Sequence, residues 1–184
     1  PGAIPALRFC KRNQGMVRSL TLVDANVDGG SSVIRGFRSV AESFQRFCAE
    51  CDAYAEPGWH TDYWQGTGGW ARTSAALRQS MAFLTGATRR DIEAVLSISV
   101  SDQELANVVC PVLLINGEAS NVEAEEVSVR LSQAIPFAHA ERISGTGHLS
   151  HFVAPHVTHP LIREFLVRIA QHWHDSAVPI GRAA

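Results

Sequence analysis

The sequence lacks a surplus of charge of either sign and lacks any long apolar run. It has 16 Lys and Arg against 18 Asp and Glu, a net charge of −2, so neither nucleic acid nor an anionic membrane is an expected partner. No apolar stretch reaches the roughly 18–20 residues that a membrane-spanning helix requires. The remaining composition, 46% hydrophobic and 18% charged over 184 residues, is ordinary for a soluble globular enzyme or binding domain with one core.

Cysteine is also scarce, with four in the chain. Cys48 and Cys51 form a CxxC pair, a spacing that occurs in thiol redox sites and in half of a zinc site. A zinc site needs a second pair at similar spacing, and the sequence has none. Because the surrounding residues have a helical pattern, we interpret the pair as two thiols on one helix. Reduced thiols fit a cytoplasmic location.

Hydrophobic patterning divides the chain into three segments. Residues 1–29 predict a helix followed by a strand, almost continuously apolar from Leu20 to Val23, which is typical of a strand buried on both faces in a parallel sheet. Residues 30–106 predict several helices. Residues 107–184 alternate strand, helix, strand and helix with short connections. This alternation predicts an α/β fold, with the middle segment inserted over one end of the sheet.

The middle segment contains a predicted loop over residues 56–69 that is rich in glycine and aromatic residues. It includes Trp59, Tyr63 and Trp64, and Trp70 follows it directly. Such a stretch either lines an apolar ligand pocket or forms a lid loop packed on its own aromatic side chains. We expect these four side chains to shape a substrate pocket.

Histidines are concentrated between residues 148 and 159. They are His148, His151, His156 and His159. Their spacing could in principle gather metal ligands. However, the prolines at 155 and 160 are expected to break the segment, so histidines in a surface loop are the preferred interpretation and no metal is expected.

Three stretches of the last segment resemble parts of the α/β-hydrolase superfamily. CPVLLINGE is similar to the penultimate strand of that family with its turn, and RISGTGHLS to its final strand and the loop that carries the catalytic histidine. HPLIREFLVRI is similar to the closing helix. The opening stretch, PGAIPALRFCKRNQGMVRSLTLVDA, resembles the helix and strand that follow the nucleophile elbow.

The resemblance implies the C-terminal half of an α/β-hydrolase fold, a mainly parallel sheet flanked by helices, with residues 30–106 as an inserted helical lid. It also implies that Pro1 directly follows the nucleophile. We therefore expect a preceding segment or chain to supply the nucleophile and to complete the sheet. No cofactor is implied.

The same resemblance gives His148 the role of general base, between the last strand and the last helix. The family usually places its acid three residues after Gly117, where this sequence has Ser120. Asp24, at the end of the preceding core strand, matches the alternative acid position of haloalkane dehalogenases. Glu118 is the second candidate acid.

Two functions follow from these residues as expectations. The first is hydrolysis, or acyl transfer, of a small and largely apolar ester or lactone. The second is a relative without a working triad that binds a ligand or guides a non-hydrolytic rearrangement. A serine in place of the usual acid favours the second function. Pro1 favours it too, because proline lacks the N–H that forms half of the usual oxyanion hole.

Overall fold

The computed structural model describes residues 2–27, 31–50 and 58–176. Pro1 and Cys51 lie outside these residues. The elements are, in chain order, α1 (Ala3–Arg12), β1 (Leu20–Val23), α2 (Ser31–Glu50), α3 (Gly58–Gln65), α4 (Gly69–Arg72), α5 (Ala75–Ser97), α6 (Asp102–Ala106), β2 (Val112–Gly117), α7 (Val122–Ala134), β3 (Ala138–Ile143), α8 (Ser150–Val153) and α9 (Pro155–Ser176).

The described strands form a parallel sheet in the order β1-β2-β3. Strand β2 lies in the centre, and its residues 112–115 are all buried. Strand β2 is thus covered on both faces. The run predicted to be buried in this way, Leu20–Val23, is a strand of the same parallel sheet but is less buried. In β1, Leu22 is buried and the other three residues are only partly so. Within the described residues, β1 pairs with no strand other than β2.

Helices cover both faces of the sheet. Alternate residues of β2 point to opposite faces. Val112 and Leu114 join a core cluster with α1, α7 and residues of the lid. Leu113 and Ile115 join a second cluster with Phe165 of α9. The fold is therefore α/β. Helices α2 to α6, which lie in the segment predicted to be a lid and are called the lid below, come between the first and second strands of the chain.

The predicted loop over residues 56–69 is wrong in its described part, because residues 58–65 form helix α3. Side chains four residues apart meet on one helix face, and here the Nε1–H of Trp64 donates to Nε2 of His60 at 2.9 Å. Gly66, with φ of 78°, follows the helix in the left-handed conformation typical of helix ends. The aromatic residues thus stabilise a helix instead of a loop.

The expectation that prolines break the last segment is confirmed at Pro155, where helix α8 has ended and a new helix begins. It is wrong at Pro160, which lies inside that new helix. Helix α9 begins at Pro155 and continues through Pro160. A first helical residue needs no N–H for the helix ladder, so Pro155 fits that position. Pro160 removes one backbone hydrogen bond near the start of a 22-residue helix, and the rest of the helix compensates for that loss.

Candidate active site

The carboxyl ends of the three parallel strands meet at one edge of the sheet. Asp24 directly follows β1, Gly117 ends β2, and His148 lies five residues after the end of β3. In open parallel sheets this edge is where ligands bind. The sheet therefore brings the candidate acid and the candidate base to the same end of the core.

Asp24 is 2% exposed and is anchored by four hydrogen bonds. Its Oδ1 accepts from Oγ of Ser120 at 2.8 Å and from Nδ2 of Asn116 at 3.1 Å. Its Oδ2 accepts from the N–H of Gly117 at 3.3 Å. Its own N–H donates to the carbonyl of Ile115 at 2.8 Å, extending the β1–β2 ladder by one residue. Asp24 has φ of 43°, a left-handed conformation that aspartate tolerates better than most residues.

Burial raises the pKa of Asp24 to about 6, although the hydrogen bonds from Ser120, Gly117 and Asn116 each act to lower it. Desolvation of the carboxylate therefore outweighs its three donors. Ser120 stands at the usual acid position and donates its hydroxyl hydrogen to Asp24. Asp24 is thus joined directly to the residue three positions after Gly117, where the resemblance leads one to expect the acid.

Glu118 contacts the backbone that leads to His148. Its side chain accepts from the N–H of Gly145 at 3.3 Å, and its own N–H donates to the carbonyl of Ile143 at 2.9 Å. The N–H of Ala119 donates to the carbonyl of Thr146 at 2.8 Å. Glu118 itself is exposed. The turn that anchors Asp24 is therefore also hydrogen-bonded to the loop that carries His148.

Two glycines allow this loop to approach its neighbours closely. A Cβ on Gly117 would clash with the carbonyl oxygens of Thr146 and Gly147. A Cβ on Gly147 would lie 2.5 Å from Cα of Gln65 and 2.9 Å from the carbonyl oxygen of Trp64. Any larger side chain would push the loop away from β2 or from lid helix α3.

His148 is held by the lid. Its backbone N–H donates to the carbonyl of Trp64 at 2.9 Å, and the two ring centroids lie 4.7 Å apart at an interplanar angle of 43°. Burial lowers the pKa of His148 to about 4, because desolvation disfavours the charged imidazolium. Its Nδ1 is buried and has no hydrogen-bond partner within residues 2–27, 31–50 and 58–176. Among those residues no hydrogen bond joins it to Asp24.

A cavity of about 210 Å³ lies between the lid and the core. The core contributes Asn26 and His148, and the lid contributes the remaining described lining residues: Phe37, His60, Trp64, Met81, Leu84, Thr88, Asp91 and Ile92. A buried cavity of about 150 Å³ holds one benzene molecule. This cavity therefore accommodates a group somewhat larger than a benzene ring beside His148.

Of the four aromatic residues expected to shape the pocket, Trp64 lines this cavity and the other three are not among its described lining residues. Trp59 is 43% exposed. Tyr63 packs edge-on against Trp64. Trp70 lies beneath the guanidinium group of Arg78, which is 4.6 Å from its ring centroid.

Sequence reasoning missed His60 and the wall that helix α5 contributes. The α5 residues in the wall lie at positions 81, 84, 88, 91 and 92. Their spacing of three, four, three and one residues places them on one face of a helix. That periodicity is the signal that could have identified them. No feature of the sequence identifies His60 as a cavity residue, because the pattern around it predicts a loop.

Similar folds occur among solved structures. MenH from S. aureus matches 90% of this chain at 14% identity and a TM-score of 0.65. A thermophilic esterase from Thermogutta terrifontis matches 89% at 19% identity and a TM-score of 0.61. Est816, an N-acyl homoserine lactone degrading enzyme, matches 89% at 15% identity and a TM-score of 0.60. The chain has part of the α/β-hydrolase fold.

The chain spans 64%, 61% and 64% of the length of these three structures, in the order given. No protein-family model and no curated protein sequence matches it. Within the described residues, no helix combines the length and hydropathy that crossing a membrane requires. In the same part of the chain, no three or more His, Cys, Asp or Glu side chains are grouped to hold a metal ion.

Proposed function

We propose that this chain is the C-terminal part of an α/β-hydrolase-type enzyme that hydrolyses, or transfers the acyl group of, a small and largely apolar ester or lactone. His148 is the general base, which takes a proton from the nucleophile and returns it to the leaving group. Asp24 is the preferred acid and Glu118 the second candidate. The observation that carries the proposal is the position of the half-buried His148 in the wall of the lid cavity, at the carboxyl edge of the sheet.

The lining of the cavity supports an apolar substrate. Half of the ten described lining residues, Phe37, Trp64, Met81, Leu84 and Ile92, are apolar or aromatic. No lysine or arginine occurs among the described lining residues, so an anionic acyl group would find no cation there. Two of the structures with a similar fold carry the names of an esterase and a lactone-degrading enzyme, which is the reaction class proposed here.

The nucleophile, in this proposal, lies on a segment that precedes residue 1. Thr88 is the only described lining residue with a hydroxyl group, and that hydroxyl donates to the carbonyl of Leu84 within helix α5. A nucleophile at the carboxyl end of a strand next to β1 would face His148 across the edge of the sheet. The chain spans about 61% to 64% of structures with this fold, which leaves room for such a segment.

A second candidate function is a ligand-binding or non-hydrolytic relative without a complete triad. The hydrogen bonds of Asp24 favour it, because both carboxylate oxygens accept donors from the turn at 116–120. His148 Nδ1 has no carboxylate partner among the described residues. A base without an acid partner could still support a proton transfer that involves no covalent intermediate.

Labelling the full natural protein with a fluorophosphonate, followed by mass spectrometry, separates the two functions. Hydrolysis through a serine nucleophile predicts a stable adduct on the preceding segment. We expect His148→Ala to lower both labelling and ester turnover at least about a hundredfold, the usual contribution of a general base. His156→Ala, at an exposed position of α9, is the matched control and should leave both unchanged. Turnover of His148→Ala within about threefold of wild type would remove His148 from the mechanism.

A further inference from the structure

Lid helix α3 makes the contacts that hold His148. The carbonyl of Trp64 accepts the His148 N–H at 2.9 Å, and the Trp64 ring packs against the imidazole. Gly147, directly before His148, has no room for a side chain because the backbone of Gln65 lies against it. The loop that carries the base is therefore packed on the lid as well as on the core.

Trp64 is itself held by a second histidine. Its Nε1–H donates to Nε2 of His60 at 2.9 Å, so this nitrogen of His60 is the unprotonated one. His60 is 4% exposed and stacks on the fully buried Phe44, with ring centroids 4.2 Å apart and an interplanar angle of 29°. The indole of Trp64 thus lies between two imidazoles, one that fixes it and one that it contacts.

We propose that His60 and Trp64 are positioning residues that set the orientation of the His148 ring. His148 can then act as a base only while helix α3 packs against the loop after β3. This proposal rests on the role of His148 as general base proposed above. In serine hydrolases, the acid orients the imidazole through a hydrogen bond to Nδ1. That nitrogen of His148 has no hydrogen-bond partner within the described part of the chain. The orientation of the ring therefore depends on its contacts with the lid.

The hydrogen bond between Trp64 and His60 can be removed without removing the rings. His60→Phe retains the stacking on Phe44 but has no acceptor, whereas His60→Gln retains an acceptor. Trp64→Phe retains an aromatic ring and the carbonyl but has no N–H donor. We expect His60→Phe and Trp64→Phe each to lower kcat about three- to tenfold in the full natural protein, which is the usual effect of one lost hydrogen bond. His60→Gln should restore most of kcat, and KM should differ little between the two His60 variants.

Two further comparisons make this test specific. The double variant of His60→Phe and Trp64→Phe should be no slower than the slower single variant, because both changes remove the same bond. His156→Phe and His156→Gln, at an exposed histidine, are the matched controls and should keep wild-type kcat. Equal kcat for His60→Phe and His60→Gln, or additive losses in the double variant, would overturn the proposal.

A spectroscopic measurement tests the arrangement without relying on turnover. The indole N–H resonance of Trp64 in a ¹H–¹⁵N spectrum can be assigned by its loss in Trp64→Phe. We expect it to move in His60→Phe, to stay near its wild-type position in His60→Gln, and to move in His148→Ala because a neighbouring ring is lost. A resonance that stays fixed in His60→Phe would contradict the hydrogen bond.

The outcomes also separate this inference from the proposed function. If His148→Ala leaves turnover unchanged, the role of His148 as base fails and the positioning role fails with it. If His148→Ala abolishes turnover while the two His60 variants remain equal in kcat, only the positioning role fails.

Discussion

At the scale of single residues, the buried carboxylate of Asp24 makes the free energy of unfolding depend on pH. Burial raises its pKa from 3.8 to about 6, so the folded state binds the proton more tightly than the unfolded state does. The resulting stabilisation is fully present below about pH 4 and is lost as the pH rises through about 6. Relative to Asp24→Asn, the wild type should lose up to about 3 kcal/mol across this range.

Urea unfolding of both proteins between pH 4 and pH 8 measures this difference, and the comparison with Asp24→Asn removes the contribution of all other titrating groups. A difference in unfolding free energy that stays constant with pH would show that the carboxylate keeps its ordinary pKa in the folded protein.

The two candidate acids also differ at this scale. Asp24 is buried and anchors the turn that holds the His148 loop, whereas Glu118 is exposed and bonds only to the backbone of that loop. Asp24→Asn should therefore lower turnover far more than Glu118→Gln. The two variants serve as controls for each other, since each removes one carboxylate charge near the same turn. Small and equal losses in both would favour the non-hydrolytic alternative.

At the scale of elements, the contact between helix α3 and the loop after β3 depends on the absence of a side chain at Gly147. Gly147→Ala would place its Cβ 2.5 Å from Cα of Gln65, and because this neighbour is backbone, the lid helix or the loop must move. We expect a loss of about 1–3 kcal/mol in the free energy of unfolding, as for other overpacked sites.

Gly15→Ala is the matched control for this change, since a Cβ at Gly15 would meet no atom within 4 Å and the residue lies at an exposed turn. It should change the unfolding free energy by no more than about 0.5 kcal/mol. Equal stability of the two variants in urea would mean that the lid does not pack on the loop as tightly as described.

At the scale of the whole molecule, several large apolar side chains on α8 and α9 are exposed in the described structure. Phe152, Val153, Leu166 and Val167 are 65%, 54%, 48% and 48% exposed, in that order, and β1 lies at an edge of the described sheet. Each large apolar side chain contributes about 1.5–3 kcal/mol when it is buried, against a total stability of about 5–15 kcal/mol. We therefore expect these 184 residues expressed alone not to fold stably, and a preceding segment that ends in a nucleophile to pair with them.

Purification of the natural protein followed by N-terminal sequencing tests this expectation. A longer chain, or a second polypeptide, with serine, cysteine or aspartate directly before Pro1 is the expected result. A monodisperse monomer of the 184 residues that unfolds cooperatively would contradict it.

Local patterns in the sequence are enough to predict the core. The run of apolar residues from Leu20 to Val23 predicts a strand of a parallel sheet, which the structure confirms. The resemblance of the segment around His148 to the last strand and loop of the family leads to the expected fold, which the solved structures with similar folds confirm. Such signals are readable because a buried strand and the turn that follows it depend mainly on neighbouring residues.

The candidate site, in contrast, depends on contacts between distant parts of the chain. Ser120 meets Asp24 across 96 positions of sequence, and Trp64 meets His148 only because α3 folds back onto the loop after β3. The sequence pattern predicts a loop over residues 58–65, although contacts such as the hydrogen bond between His60 and Trp64 hold them in a helix. Local sequence is sufficient to identify the strands of the parallel sheet and the histidine that follows the last of them. The side chains that surround that histidine are set by the folded chain alone, because packing between separate elements has no local pattern.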